Sequence, residues 1–428
     1  MPPPGERHPS ERTAGGDRAR CVAVALAAGT VAAISELPRI LVTLDALPRS
    51  LWWLGWSDLL ATYVDRGLAG GHWPYFDVPF EYPPLIGYPA GLFAAITSSA
   101  AGYLMWWAVV IVLATAATAY LLARASGPKR AFWRFALAPQ LLVYAGMNMD
   151  VLPAGLTVAA VVAAQRGRPI AAMVGLGIGA TAKLFPALVA PALLFRAGRR
   201  AWRLAAVLLA TITLVFLPSL FTSHPSTSGV AYYATGYEAG GIAVWGLVRY
   251  AMDGLGVPNA AGIVLVLTTA GLVATYVFGI IPRSRHTADP AVGMCLTVIA
   301  ILFWSRLFSP QFSLWILPFF ALVPAIGRGS IALLAVADMI VFVGVSQLTL
   351  VQRDPTDAAT TVLIAILTVA AILRHVALIH MWREVSASSD LSDRLSRERR
   401  FQKHRVAATV ADVELRADPS DVHAQRLG

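Results

Sequence analysis

The chain has 428 residues, of which 57% are hydrophobic and only 14% charged, with a formal net charge of +10. Soluble proteins of this length are about one-quarter charged, so a soluble domain is excluded. Nucleic-acid binding is excluded too, because the Arg and Lys residues fall in short loops between apolar runs rather than on one soluble face.

Apolar runs able to cross a bilayer, which takes about 20 helical residues, recur from Arg20 to Met381. They predict an all-α polytopic membrane protein; a membrane barrel would alternate in strands of about ten residues. Cys21 and Cys295 lie at or within apolar segments and suggest neither a disulfide framework nor a zinc site. Residues 1–20 are polar and Arg-rich. The apolar run that follows resumes after Glu36–Arg39 and reaches Leu47, too long for a signal-peptide core, so it is read as an uncleaved first span. Glu36 and Arg39, one turn apart around Pro38, are expected to pair.

Residues 48–83 form the first long loop. Leu51–Trp56 is aromatic, as membrane-surface belts are. "SDLLATYVDRGL" has helical spacing with Ser57 as its N-cap, placing Asp58 in the first turn of an interfacial helix. Asp58 is either a helix-capping group or a base at headgroup level, and Asp65, Asp77 and Glu81 compete for the second role. No Asp-x-Asp pair lies in the loop, so no metal site is expected. "PYFDVPFEYPPL" follows. Its final Pro pair stiffens the chain, and Tyr82 before Pro83 is biased away from helix. The rings make a floor over the membrane, and rings also stack on sugars. Leu85–Thr97 is read as a helix lying at the interface or re-entering from outside, because counting it as a span would turn every later basic loop outward.

Later turns carry further polar groups. "YAGMNMDVLPAG" sets Asn148 and Asp150 between spans. "GATAKLFPALVAP" sets Lys183 at an outer boundary. "FWSRLFSPQFSLWILP" places Arg306 and Gln311 similarly. Outer-side cations run against the positive-inside rule, and ionisable groups at membrane depth are functional candidates, with snorkelling to the headgroups as the alternative. Two such cations are what an enzyme uses to hold a lipid phosphate. Placing the basic clusters at Arg124–Arg134, Arg166–Arg168, Arg196–Arg203, Arg283–Arg285, Arg328 and beyond Arg383 in the cytoplasm sets both termini inside, residues 48–83 outside, and about twelve spans. The other outer turns then fall near 148–150, 182–183, 222–241, 306–310 and 352–357. The chain divides into a cytoplasmic segment 1–20, a multispanning domain 21–382 and a charged cytoplasmic tail 383–428.

Taken in order, Asp58, "PYFDVPFEYPPL", "NMDVLPAG", "ATAKLFPALVAPALLFR" and "LFSPQFSLWILP" resemble the family 87 glycosyltransferases, membrane enzymes of the GT-C class. The resemblance covers roughly Arg20 to Met381. It implies transfer of mannose, or next arabinofuranose, from a polyprenyl-phosphate donor to a lipid- or glycan-linked acceptor at the outer face of the plasma membrane, with no cofactor. It implies Asp58 as general base, Lys183 and Arg306 beside the donor phosphate, and Tyr75, Glu81, Tyr82, Asn148, Asp150 and Gln311 around the substrate cavity. The stretch 236–250 departs from the family pattern at Gly236 and Tyr237, leaving the acceptor open. A lipid-sugar flippase would place its charges near mid-membrane in two related halves, and an O-antigen-type ligase or polymerase would have its polar centre in a late loop. Here the polar groups gather on the outer side and the first loop is richest.

Overall fold

The computed structural model describes residues 9–227, 242–350 and 358–416; side chains of 9–15, 349–350 and 391–416 are not described. Gly236, Tyr237 and the turn at 352–357 lie outside the described residues. The described chain is helical, and its one extended feature is an isolated bridge between Pro74 and Val78. Six described helices are long and apolar enough to cross a membrane: Gly16–Thr43, Ala100–Ser126, Gly198–Leu220, Ala260–His286, Arg328–Leu348 and Ala358–Asp390. This is a membrane protein.

The first helix, α1 (Pro9–Thr43), packs along most of α4 (Ala100–Ser126). Between them lie α2 (Asp58–Asp65) and α3 (Pro84–Ala95). Then come α5 (Pro128–Ala131), α6 (Pro139–Tyr144), α7 (Val151–Gln165) and α8 (Pro169–Ala180), followed by α9 (Phe185–Val189), α10 (Pro191–Leu194) and α11 (Ala201–Leu220). After the undescribed stretch come α12 (Val244–Gly254), α13 (Ala260–Ala274), α14 (Ile281–His286), α15 (Pro290–Trp304), α16 (Ser313–Leu322), α17 (Arg328–Leu350) and α18 (Ala358–Arg416). A π-helical turn, Thr275–Ile280, joins α13 to α14.

The polar contacts of the bundle gather at two ends. At one end Arg134 donates to the carbonyls of Phe320 (2.9 Å) and Ile326 (3.2 Å), Arg196 donates to Ala288 (2.9 Å), and Glu384 accepts from Gly327 N–H (2.9 Å). The basic clusters collect here. The other end gathers the loop after α1 and the turns before α7, after α8 and before α16. There Leu85 N–H donates to Thr181 O (2.9 Å), and His224 N–H donates to Tyr75 O (2.8 Å).

Pro38 interrupts the helical ladder of α1, and Arg39 turns its guanidinium onto backbone. It donates to Ser35 O, Trp56 O (3.0 Å) and Val143 O (2.8 Å). The expected Glu36–Arg39 pair is therefore not formed. Glu36 is buried and its carboxylate oxygens have no hydrogen-bond partner among the described residues. It lies against Gly146, where a Cβ would stand 2.6 Å from the carboxylate carbon. Ser35 Oγ accepts from Gly146 N–H (3.0 Å). One helical turn thus ties down both the segment before Asp58 and the segment before Asn148.

Candidate active site

Ser57 is the N-cap of α2, its hydroxyl accepting from Leu60 N–H at 3.3 Å. Asp58 is therefore not the capping group, and its carboxylate is free for another role. Its backbone N–H is fixed to Met147 O (2.9 Å). Its Oδ2 accepts from Asn148 Nδ2 (2.7 Å) and Gln311 Nε2 (3.0 Å). Among the described residues Oδ1 accepts nothing. Asn148 Oδ1 accepts the N–H of Met149 (2.6 Å), which fixes the amide so that Nδ2 faces Asp58; the same Nδ2 lies 3.3 Å from Tyr82 Oη. Two neutral donors thus hold one oxygen and leave the other unoccupied.

Asp58 faces a cavity of about 610 Å³ whose lining also includes Tyr82, Asn148, Lys183, Gln311 and Trp315. Burial pushes the Asp58 carboxyl up to about 6; the Asn148 hydrogen bond and the charges of Lys183 and Arg39 pull it down, and Asp150 pushes it up. The group is ionised at neutral pH yet far more basic than an exposed aspartate.

Lys183 reaches the same cavity after α8. Its Nζ lies 2.7 and 2.9 Å from the two oxygens of Asp150 and 4.5 Å above the Phe312 ring. Asp150 is fully buried and also accepts from Trp315 Nε1 at 2.7 Å. Trp315 is stacked between Phe185 (4.2 Å) and Phe312 (4.1 Å). Asp150 accordingly lies behind Lys183 and does not line the cavity as expected; it anchors the cation that does.

One further expectation is corrected, that for Tyr75. Tyr75 is fully buried beneath the loop, its hydroxyl donating to Tyr82 O (2.6 Å) and its ring set edge-on to Phe80 and Tyr88. It supports Tyr82 and does not line the cavity. It holds a left-handed backbone (φ 71°), unusual for an aromatic residue and fixed by its N–H bond to Val78 O. Arg306 is absent from the lining although its neighbours Ser305 and Leu307 belong to it; burial lowers its affinity for its proton.

Of the competing carboxylates, Asp77 accepts from Trp73 N–H (2.8 Å) in a local turn, away from the cavity. Glu81 lines the cavity and is paired with Arg66 (2.8 Å). Asp65 also lines it.

Sequence reasoning passed over Asp338 and Arg374. Both are fully buried and 2.9 Å apart, and they sit beside the turn that carries Gln311. A lone charge inside "LLAVADMIVF" and another inside "AAILRHVALI" were the available signal.

A model of glycosyltransferase family 87 matches residues 80–310, more than half of the chain. The chain belongs to glycosyltransferase family 87. It is thus a glycosyltransferase, and the family match spans Glu81, Tyr82, Asn148, Asp150, Lys183 and Arg306, while Asp58, Gln311, Asp338 and Arg374 lie outside it. Among solved structures the chain is similar to ArnT from Cupriavidus metallidurans in the apo state. The identity is 16% and the TM-score 0.40, over 76% of this chain and 72% of that one. It is also similar to the same protein bound to undecaprenyl phosphate, at 14% identity and TM-score 0.39 over the same shares. Comparison with curated proteins finds no match.

Proposed function

We propose that this family 87 enzyme moves mannose, or arabinofuranose, from a polyprenyl-phosphate donor to a hydroxyl of a lipid- or glycan-linked acceptor at the outer face of the plasma membrane. The observation that carries the proposal is that Asp58 and Lys183, a base and a cation, line one cavity. Asp58 Oδ1 takes the proton of the acceptor hydroxyl as its oxygen attacks the anomeric carbon. The bond from that carbon to the phosphate oxygen breaks, and the released polyprenyl phosphate is held by Lys183, with Arg306 as a second cation beside the lining. A single displacement inverts the anomeric centre. Glu81, Tyr82, Asn148 and Gln311 shape the cavity, and the apolar lining of Phe185, Leu188 and Ile301 suits the first isoprene units.

Six long apolar helices together with the shorter apolar helices between them support the reading of about twelve crossings, with α2 and α3 resting at the outer interface. The basic end is then cytoplasmic and carries both termini. The test is incubation of the purified protein, in lipid nanodiscs, with polyprenyl-phosphate mannose and polyprenyl-phosphate arabinofuranose against a panel of acceptor lipids. Transfer from either donor with inverted configuration at the new linkage supports the proposal; transfer with retention, or from a nucleotide sugar alone, contradicts it.

A further inference from the structure

Gln311 reaches Asp58 from a short turn, Ser309 and the 3₁₀ segment Pro310–Phe312, closed by the bond from Phe312 N–H to Ser309 O (3.0 Å). The last two long helices tie this turn to the bundle. Arg374 of α18 donates from Nη1 to Phe308 O (2.7 Å) and from Nη2 to Ser309 O (3.3 Å), and its guanidinium carbon lies 3.5 Å over the Phe308 ring. Asp338 of α17 fixes Arg374 in turn, with Oδ1 2.9 Å from Nε. The same Oδ1 accepts from Ser313 Oγ (2.8 Å), and Oδ2 accepts from Gln140 Nε2 (3.3 Å). The two charges therefore clamp both sides of the turn, at residues 308–309 and at 313.

A buried ion pair is a poor stabiliser, because desolvation of both ions offsets their attraction. Its presence between apolar helices calls for another role, and the planar fork of Arg is suited to gripping two successive carbonyls. We propose that Arg374, fixed by Asp338, is a positioning pair that sets the Gln311 amide against Asp58 and so tunes the basicity of that carboxylate. The inference rests on the reading of Asp58 as base.

The test is the pH dependence of kcat/KM for sugar transfer by the full-length protein. Gln311→Leu removes a donor from the ionised carboxylate, so its acid limb moves to higher pH by about one unit, or roughly tenfold in rate below the limb. The paired variant Arg374→Met with Asp338→Asn leaves no lone buried charge and should fold. It is expected to reproduce the Gln311→Leu shift, and adding Gln311→Leu to it should move the limb no further. Arg374→Lys, which lacks the fork, should give an intermediate shift. A limb that stays at the wild-type position in the paired variant, or a Gln311→Leu shift that adds in full, would overturn the inference while leaving Asp58 as base. Wild-type turnover in Asp58→Asn would overturn the base itself and this inference with it.

Discussion

Lys183 Nζ lies 2.7 Å from Asp150 Oδ1, so the cation that reaches the cavity is already held by a carboxylate with no exposed surface. Removing Lys183 then has two effects. Breaking a buried pair destabilises by about 3–5 kcal/mol, and the one-fifth exposure of Lys183 puts this pair at or below the low end. Loss of a charge-assisted contact to the donor phosphate adds about 1.5–3 kcal/mol, roughly 10- to 150-fold in donor affinity. Lys183→Ala with Asp150→Asn should restore most of the melting temperature in detergent but not the donor dependence. Recovery of both would mean that Lys183 serves only Asp150.

The raised pKa of Asp58 makes a pH prediction with a definite sign. The base works ionised, so kcat/KM should be level above pH of about 6 and fall tenfold per unit below it. An exposed aspartate would keep the plateau down to about pH 4. Asn148→Leu removes a donor that favours the ionised form and should move the limb up by about one to two units. A limb near pH 4 in the wild type would contradict the buried environment of Asp58.

Gly87 of α3 lies directly under the Tyr75 ring, and an added Cβ would collide with it. Tyr75 cannot retreat, because its N–H, carbonyl and hydroxyl are all bonded. Gly87→Ala should destabilise by about 1–3 kcal/mol through overpacking and lower turnover by displacing Tyr82. Thermal unfolding and turnover in the same preparation check this; an unchanged pair of values would show that the aromatic floor is not rigid.

Membrane helices are legible because apolar length is a local property, although among the described residues six, against about twelve expected spans, are long and apolar enough to cross; the gathering of polar turns is legible because the basic loops mark the opposite end. Asp58, Asn148, Lys183 and Gln311 each stand out in the sequence as a polar group at a turn, and the fold brings them to one cavity. Whether Tyr75 or Tyr82 faces that cavity was not legible. The positive φ of Tyr75 turns its ring inward, and nothing in "PYFDVPFEY" marks that angle. Glu36 and Arg39 have helical pairing distance, yet Arg39 prefers three carbonyls supplied by Ser35, Trp56 and Val143. Asp338 and Arg374 meet across two helices, a relation that no local pattern encodes.

Orientation is tested at Gly70, an exposed residue of the first loop. Both native cysteines are buried, so Gly70→Cys should give a clean signal with an impermeant thiol reagent in intact cells. Arg130→Cys should label only after lysis. The reverse pattern would turn the protein over and place the cavity in the cytoplasm.

The most direct test of the central claim is the turnover of Asp58→Asn. The amide oxygen can still accept from Asn148 and Gln311, so the fold and donor binding should survive. Only basicity is lost, and the rate of sugar transfer should fall by about 10² to 10⁴ with the melting temperature held. Transfer at close to the wild-type rate would contradict the account and pass the role of base to Asp65 or Glu81, the other carboxylates lining the cavity.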